Sequence, residues 1–302
     1  MLNNVNLRIS SKDDRLVFSV FLNPNLYPLK LNFFKYHGTG NDFILIDNRE
    51  NIFMPENKLI AWLCHRRFGI GADGLILLNK AEGYGFGMQY FNSDGKESTM
   101  CGNGGRCIIA FADFLSLKGE KRRFLGNDGE HTGTVLSKNN NHYMIRLSMQ
   151  DVPVYQVNNG DYILHTGSPH LVRFVDDIMS INVTAEGRNI RNLFEFQPNG
   201  VNVNFVCQEG ERIIVRTYER GVEDETLSCG TGVTASALAF SVKKNINGGI
   251  IQVITKGGAL YVHFRKQDEG FAGIYLEGPA IKVFEGSIDI NDLINLPADL
   301  FI

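Results

Sequence analysis

The chain has 302 residues, of which 43% are hydrophobic and 21% are charged, and its formal net charge at pH 7 is -3. These values are ordinary for a globular protein with room for two domains. The small negative net charge gives no electrostatic reason to expect binding to nucleic acid or to an anionic membrane. No apolar run approaches the length of a bilayer span. The expected partner is therefore a small molecule, with no nucleic acid and no membrane.

The five cysteines are odd in number and follow no regular spacing. This pattern favours free thiols in the cytoplasm over the disulfide framework of a secreted protein. Cys64 and His65 have no Cys-x-x-Cys companion, so no metal site is expected there. Cys107 is expected to be a buried packing residue.

The first 30 residues contain one apolar run, Leu16–Leu22, which follows Lys12, two aspartates and Arg15. The acidic residues before the run, and the lack of a small-residue cleavage site after it, argue against a signal peptide. We expect a strand or a poorly ordered extension. A chain that begins at Leu31 is expected to fold and to keep its activity.

From Leu31 the sequence alternates as a strand, passes through Gly38-Thr-Gly40 and resumes as Phe43–Ile46. This pattern predicts a strand, a tight turn and a second strand. The turn would place Asn41 and Asp42 where they can contact a ligand. Taken alone, a hairpin with asparagine as its turn former explains the Gly-x-Gly better.

Other elements follow in order along the chain. The helical spacing of Leu59–Arg67 predicts a helix that ends near the glycine-rich residues 68 to 74. Strands are predicted at 75–78, 86–91, 162–165, 199–207 and 213–221, and in three segments between 250 and 276. In the strand Asn199–Cys207 the polar residues are expected to alternate outward. Asp151-Val-Pro153 is a predicted linker.

One pattern occurs twice in the chain. The first copy runs from Glu97 to Cys101-Gly-Asn-Gly, and the second runs from Glu225 to Cys229-Gly-Thr-Gly. Each copy has Glu four residues before Cys, and each continues into a segment with the composition of a buried helix. A duplicated fold commonly relates its halves by an approximate two-fold axis, which would bring the two thiols face to face.

A cysteine just before a helix faces unpaired backbone N–H groups and the positive end of the helix dipole. The dipole is worth up to about 2 kcal/mol, enough to bring the pKa of a thiol close to neutrality. A carboxylate cradle is expected from the N–H groups of four residues: Gly102, Asn103, Gly230 and Thr231. One thiolate would remove the proton next to the carboxylate while the opposite thiol protonates the other face, and this chemistry needs no cofactor.

Five motifs extend this interpretation: Lys35–Phe43, Phe91–Gly95, Met100–Cys107, Tyr218–Gly221 and Glu225–Gly232. With them the chain resembles the diaminopimelate epimerase family over nearly its whole length from Leu31. The resemblance implies an α/β (α+β) fold of two similar domains related by a pseudo-two-fold axis, each a curled, mostly antiparallel sheet around a central helix. It also implies the division of the chain: an extension at 1–30, an N-terminal domain at 31–148 completed by about 279–302, and a C-terminal domain at 149–278.

The same resemblance implies the reaction and its residues. LL-2,6-diaminopimelate would be converted to the meso form, in lysine and peptidoglycan-precursor synthesis, with Cys101 and Cys229 as the acid–base pair. His170 and Glu219 are implied to tune the thiols. The implied substrate-binding positions are Asn41, Asn92, Gly102, Asn103, Asn202, Glu219, Arg220, Gly230 and Thr231. A carboxylate suits the ammonium groups of such a substrate, and an arginine suits its distal carboxylate. No metal and no other cofactor is implied, and a homodimer is left open.

The chain departs from the family pattern at a few positions. Gly74 stands where many members have Gln, Ser168 stands where many have Asn, and the loop Gly221–Glu225 is one residue longer than usual. Proline and hydroxyproline racemases share the Cys-Gly-x-Gly pattern but usually have His at the position of Asn103. A thiol redox or metal-binding protein and a non-catalytic binding module are the alternatives from other classes.

Overall fold

A computed structural model describes residues 30–117 and 121–290. The predicted extension before residue 30, with its apolar run, lies outside the described residues, as does the end of the predicted closing segment at 291–302. Within the described part of the chain, no helix is long and apolar enough to cross a membrane.

The described residues form four α-helices, namely α1 (Asn57–Cys64), α2 (Gly102–Phe114), α3 (Val183–Arg191) and α4 (Gly230–Lys244), and a short 3-10 helix at Phe194–Phe196. The strands of the first half are β1 (Lys30–Gly38), β2 (Asn41–Asp47), β3 (Gly74–Asn79), β4 (Phe86–Asn92), β5 (Glu97–Ser98), β6 (Lys121–Gly126), β7 (Gly129–Asn139) and β8 (His142–Ser148). The remaining strands are β9 (Tyr155–Asn158), β10 (Asp161–His165), β11 (Pro169–Phe174), β12 (Asn202–Glu209), β13 (Arg212–Glu219), β14 (Asp224–Thr226), β15 (Gly248–Thr255), β16 (Gly258–Gln267) and β17 (Gly270–Asp289).

The two halves of the chain repeat one topology. In the first half, β2 and β3 are parallel and joined through α1, β4 is antiparallel to β3, and α2 connects β5 to β6, which is parallel to β4. In the second half, β11 and β12 are parallel and joined through α3, β13 is antiparallel to β12, and α4 connects β14 to β15, which is parallel to β13. The predicted duplication and fold class are therefore confirmed.

The last strand, β17, links the two halves. Its residues 270–277 pair with β16, residues 278–281 pair with β8, and residues 281–289 pair with β1. All the described strands thus belong to one hydrogen-bonded sheet, which packs around α2 and α4. The predicted domain limits themselves stay a prediction.

The two central helices are buried along most of their length, which suits their small and apolar residues. The buried polar side chains of α4 are satisfied within the helix, because Thr234 donates to the carbonyl of Gly230 (3.0 Å) and Ser236 donates to that of Gly232 (2.7 Å). Cys107 on α2 is fully buried, as predicted. Both helices can therefore stand at the centre of the sheet.

Most predicted elements are present, with two differences. The turn at Thr39 and Gly40 has positive φ at both residues (51° and 87°), which matches the predicted tight turn. In β12 the expectation of outward polar residues is wrong, since Asn202 and Asn204 are 4% and 0% exposed. Asn204 is satisfied inside, where it donates to the carbonyl of Leu171 (3.0 Å). The helix α3 was not predicted.

Candidate active site

Cys101 and Cys229 are the N-cap residues of α2 and α4, and both have extended backbone conformations. The first turns of these helices touch, because a Cβ atom added to Gly230 would lie 3.1 Å from the Cα atom of Gly102. Glycine is needed at both positions for this approach. Both thiols therefore open onto one cavity between the halves of the molecule.

The cavity has a volume of about 730 Å³. The predicted site residues that line it are Asn41, Asn92, Cys101, Gly102, Asn202, Glu219, Arg220, Cys229, Gly230 and Thr231. Two predicted residues, Asn103 and His170, lie behind its wall at 1% and 0% exposure. Lining residues outside the predicted set include Tyr90, Asp73 and Arg66.

The side chain of Asn103 joins the two cysteine loops. Its amide nitrogen donates to the carbonyl of Ser228, the residue before Cys229, at 2.9 Å. Its amide oxygen accepts from the guanidinium of Arg106 at 2.9 Å. The backbone N–H of Asn103 remains directed at Cys101, where it favours the thiolate. Asn103 therefore contributes its backbone to the site and uses its side chain to hold the two loops together.

Asn41 is held in one orientation beside Cys101. Its amide nitrogen donates to the carboxylate of Asp73 (2.7 Å), which is also bound by Arg66 (2.6 Å). Because the nitrogen is committed, the amide oxygen faces the site, and the thiol of Cys101 donates to it at 3.7 Å. Asn41 thus faces Cys101 with an acceptor.

His170 is buried beneath the second cysteine loop as a neutral ring. Burial, assisted by the nearby His165 and Arg220, lowers its pKa to about 3. The amide nitrogen of Asn204, fixed by the Leu171 carbonyl, donates to Nδ1 of His170 at 3.1 Å. Since Nδ1 accepts, the ring proton lies on Nε2.

From Nε2 the network continues to the cavity. The hydroxyl oxygens of Ser168 and Thr231 both lie 2.9 Å from Nε2 of His170. The Thr231 hydroxyl lies 3.4 Å from the sulfur of Cys229. His170 is therefore linked to the Cys229 thiol through Thr231, and it does not line the cavity itself.

Both thiols have a pKa above the usual value for cysteine. For Cys101 the main cause is burial, which the backbone N–H groups of Gly104 and Asn103 and the charge of Arg106 oppose. The pKa of Cys229 is raised well above the usual value by burial and the nearby Glu219, while the Thr231 hydroxyl opposes them. Glu219 adds to burial at Cys101 as well. The expectation that the helix ends bring these pKa values close to neutrality is therefore wrong. Removal of a thiolate from water outweighs the dipole.

An acidic and a basic residue, Glu219 and Arg220, also line the cavity. Burial raises the pKa of Glu219, at the end of β13, above its usual range. The next residue, Arg220, donates its backbone N–H to the amide oxygen of Asn202 at 2.8 Å, and its guanidinium donates to the carbonyl of Asn199 at 3.1 Å. A carboxyl group and a guanidinium thus enter one cavity from adjacent residues, which suits a ligand with both ammonium and carboxylate groups.

Known proteins resemble this chain over most of its length. The model of the family described as diaminopimelate epimerase matches residues 33–151 and 162–283. The diaminopimelate epimerase of Flavobacterium psychrophilum is 47% identical over 260 residues, which cover 85% of this chain and 100% of the relative. That of Archaeoglobus fulgidus is 35% identical over 289 residues, covering 88% and 99%. The chain belongs to the diaminopimelate epimerase family. The resemblance seen in the motifs is confirmed.

Solved structures extend the likeness at the level of the fold. A phenazine biosynthesis protein of the PhzF family from Bacillus anthracis has a TM-score of 0.69 at 15% identity, covering 86% of this chain and 99% of the other. A probable proline racemase from Agrobacterium radiobacter has a TM-score of 0.62 at 14% identity, covering 85% and 92%. At such identities the comparison shows that the diaminopimelate epimerase family shares its fold with these proteins.

The two single-residue departures from the family pattern have different settings. Ser168 lines the cavity, and its hydroxyl accepts from the amide of Asn202 at 3.1 Å. Gly74 is absent from the cavity wall. Ser168 therefore still presents a polar group to the site. The space that a side chain at residue 74 would need is occupied by the ring of Tyr90.

Sequence reasoning missed Tyr90, Asn204 and Arg106. Tyr90 precedes Asn92 by two residues on β4, and Asn204 follows Asn202 by two residues on β12. Alternation along a strand puts residues two apart on one face, so this spacing was the available signal. Arg106 lay within a quoted motif, but nothing in the sequence indicated that its charge would be fully buried beside Cys101.

Proposed function

We propose that this protein converts LL-2,6-diaminopimelate to the meso form by a two-base mechanism, with Cys101 and Cys229 as the paired base and acid. The observation that carries the proposal is the meeting of two helix N-termini, each preceded by a thiol, in one cavity. Membership in the diaminopimelate epimerase family supports the choice of substrate.

The helix ends supply the binding site for the carboxylate on the reacting carbon. The backbone N–H groups after each cysteine, at Gly102, Asn103, Gly230 and Thr231, have no partner earlier in the helix. They suit a carboxylate that gains charge when its neighbouring carbon loses a proton. With the carboxylate there, the reacting carbon stands between the two sulfur atoms.

The proton transfers then balance without a cofactor. The thiolate of one cysteine takes the proton from the α-carbon, and the electron pair of that C–H bond spreads into the carboxylate. The thiol of the other cysteine gives its proton to the opposite face of the carbon. The centre is inverted, and the two cysteines have exchanged their protonation states.

The ammonium groups of the substrate fit the raised pKa values of the thiols. Burial and Glu219 hold both thiols protonated in the neutral range. A positive charge brought beside a thiol favours the thiolate and lowers its pKa. Substrate binding would thus stabilise the negative charge of a thiolate, which the cavity residues alone do not. The role proposed for Glu219 is to bind the ammonium, and that for Arg220 is to bind the distal carboxylate.

The test follows hydrogen exchange at the inverted centre by NMR. In heavy water the native protein should turn over LL-diaminopimelate and leave solvent deuterium at that centre. Cys101→Ala and Cys229→Ala should each lower turnover by about a thousandfold or more, because each removes one of the two proton carriers.

The matched control is Cys207→Ala, whose thiol lies outside the cavity and donates to the carbonyl of Asp176. It should keep the native rate. Retention of substrate hydrogen at the inverted centre, or full activity in either active-site variant, would contradict the mechanism. Proline serves as the competing substrate, and faster turnover of proline would contradict the substrate assignment.

The proposed setting is lysine and peptidoglycan-precursor synthesis in the cytoplasm. All five cysteines lie within the described residues and are free, which fits a reducing compartment. An epimerase that depends on two facing thiols also requires such a compartment, because oxidation to a disulfide would remove both proton carriers.

A further inference from the structure

Tyr90 is a cavity residue with an unused polar group. Its ring is 8% exposed and packs edge to face on Phe43, with centroids 5.8 Å apart. It nevertheless lines the cavity of the two thiols. Its hydroxyl has no hydrogen-bond partner among residues 30–117 and 121–290. The ring is thus fixed by packing while its polar end remains available to a ligand.

The ring occupies the space of a side chain at residue 74. A Cβ atom added to Gly74 would lie 2.6 Å from a ring carbon of Tyr90 and 3.2 Å from its hydroxyl oxygen, as well as 2.5 Å from the carbonyl oxygen of Phe91. The φ of Gly74 lies outside the left-handed region, so the backbone does not itself require glycine. Gly74 is therefore explained by close packing of the neighbouring strand, including the Tyr90 ring.

The second half of the chain has no counterpart of a hydroxyl that is available to a ligand at the position of Tyr90. Ile76 faces Tyr90 across β3 and β4 as Asn204 faces Thr217 across β12 and β13. The Thr217 hydroxyl donates to the amide oxygen of Asn204 at 2.9 Å. At the matching place, Tyr90 faces an apolar neighbour and extends past it to the cavity. The Thr217 hydroxyl is used inside the protein, whereas the Tyr90 hydroxyl is available to a ligand.

The charges around Tyr90 indicate which substrate group it meets. Burial raises the pKa of its phenol, and the nearby acidic groups of Cys101, Glu219 and Asp73 add to this effect. The phenol is protonated at neutral pH, and the lone pairs of its oxygen can accept a hydrogen bond. In the proposed reaction the carboxylate on the reacting carbon lies at the helix ends, and Glu219 faces the ammonium. In that arrangement the ammonium is the substrate group that we expect beside Tyr90.

We propose that the Tyr90 hydroxyl binds the substrate by accepting a hydrogen bond from the ammonium group on the reacting carbon, and that Gly74 provides the room for the ring. This inference rests on the proposed function.

The first test is Tyr90→Phe, which keeps the ring and removes only the hydroxyl. We expect kcat/KM for LL-diaminopimelate to fall about tenfold to a hundredfold, mainly through a higher KM, because the lost hydrogen bond is to a charged group present throughout the reaction. A value within twofold of the native protein would overturn the proposal. If the native protein itself fails to turn over the substrate, the proposed function fails instead.

Two controls separate binding from structure. Tyr36→Phe removes a buried hydroxyl that also lacks a partner within the described residues but lies outside the cavity, and it should leave KM unchanged. Pimelate has both carboxylates and no ammonium, so its inhibition constant should be the same for the native protein and Tyr90→Phe. Equal weakening of pimelate and diaminopimelate would show that the hydroxyl does not act on an ammonium, and would overturn the proposal.

A double-mutant cycle tests the link to Gly74. Gly74→Ala should displace the Tyr90 ring and lower kcat/KM, and the further loss should be much smaller when Tyr90 is already Phe. Additive losses would contradict the claim that glycine serves the Tyr90 hydroxyl. If Gly74→Ala does not fold, Tyr90→Phe and the pimelate measurement still decide the main proposal.

Discussion

Cys101 and Cys229 begin equivalent helices, and the strand register allows the residues around them to be compared one by one. Leu75 faces Phe91 in the first half as Val203 faces Tyr218 in the second, and Phe43 lies beside Gly74 as His170 lies beside Asn202. Three matched pairs near the thiols follow from this register: Phe43 and His170, Tyr90 and Thr217, Asn92 and Glu219. In the first two pairs, the first half has Phe43 and Tyr90 where the second half has His170 and Thr217, which are hydrogen-bonded to each other through Asn204.

The charges near the two thiols differ as well. Arg106 is fully buried near Cys101, where its charge favours the thiolate, and its hydrogen bonds go to uncharged oxygen atoms such as the Pro279 carbonyl. Near Cys229, the carboxyl of Glu219 favours the thiol. The duplicated fold therefore places two thiols alike beside one carboxyl, Glu219, whose effect is opposed by the charge of Arg106 at Cys101 and by the Thr231 hydroxyl at Cys229. This difference suits a pair in which one member must be a base while the other is an acid.

Among the variants that test this difference between the two thiols, Glu219→Gln should have the largest effect on turnover. Turnover is expected to fall about a hundredfold, because the partner of the substrate ammonium loses its charge. The pKa of Cys229 should fall, since the negative charge beside it is removed, and it should fall more than that of Cys101. The measurement is the alkylation rate of each cysteine against pH, followed by peptide mass spectrometry.

Glu223→Gln is the matched control for that variant. Its carboxylate is in the turn that follows β13, accepts from the Tyr218 hydroxyl at 2.9 Å and lies outside the cavity. It should leave both alkylation profiles in place. An equal shift of the two cysteines in Glu219→Gln would show that Glu219 does not distinguish them.

Thr231→Val should have a smaller effect that is confined to the second thiol. The variant keeps the shape of the side chain and removes the hydroxyl that links His170 to Cys229. The pKa of Cys229 should rise, because the hydroxyl now favours its thiolate, and kcat should fall about tenfold. Thr234→Val is the control, since that hydroxyl lies one turn further along α4 and donates to the Gly230 carbonyl. A rise in the pKa of Cys101 in Thr231→Val would contradict the separation of the two networks.

The sequence predicted the two cysteine helices because their motif is repeated, but it did not lead us to α3. Only Val183, Gly187 and Ile190 of that helix are buried, so its apolar pattern is weak. The duplication held the missing information. Since α1 joins β2 to β3, a helix was to be expected between β11 and β12.

Site residues that belong to a motif could be predicted from the sequence. Residues whose role depends on pairing with a neighbouring strand could not. Asn92 and Glu219 end their strands beside recognisable motifs, whereas the role of Tyr90 depends on which residue faces it across β3 and β4. Pairing register is a tertiary property that no single strand specifies. The pKa of each thiol was misjudged for a related reason. The helix dipole can be inferred from sequence, but the burial that outweighs it cannot.

The smallest expected effect concerns stability against pH, and it tests the difference between His170 and its counterpart Phe43. The pKa of His170 is about 3 in the folded protein and 6.5 for an ordinary histidine, so below pH 6.5 the unfolded chain binds a proton that the folded protein does not. The free energy of unfolding should therefore decrease as pH falls, by about 0.7 kcal/mol from this group between pH 7 and pH 6. Urea unfolding of His170→Gln should lack this component of the slope, while Phe43→Leu should retain it. Parallel curves for the native protein and His170→Gln would mean that His170 is not held neutral by the fold.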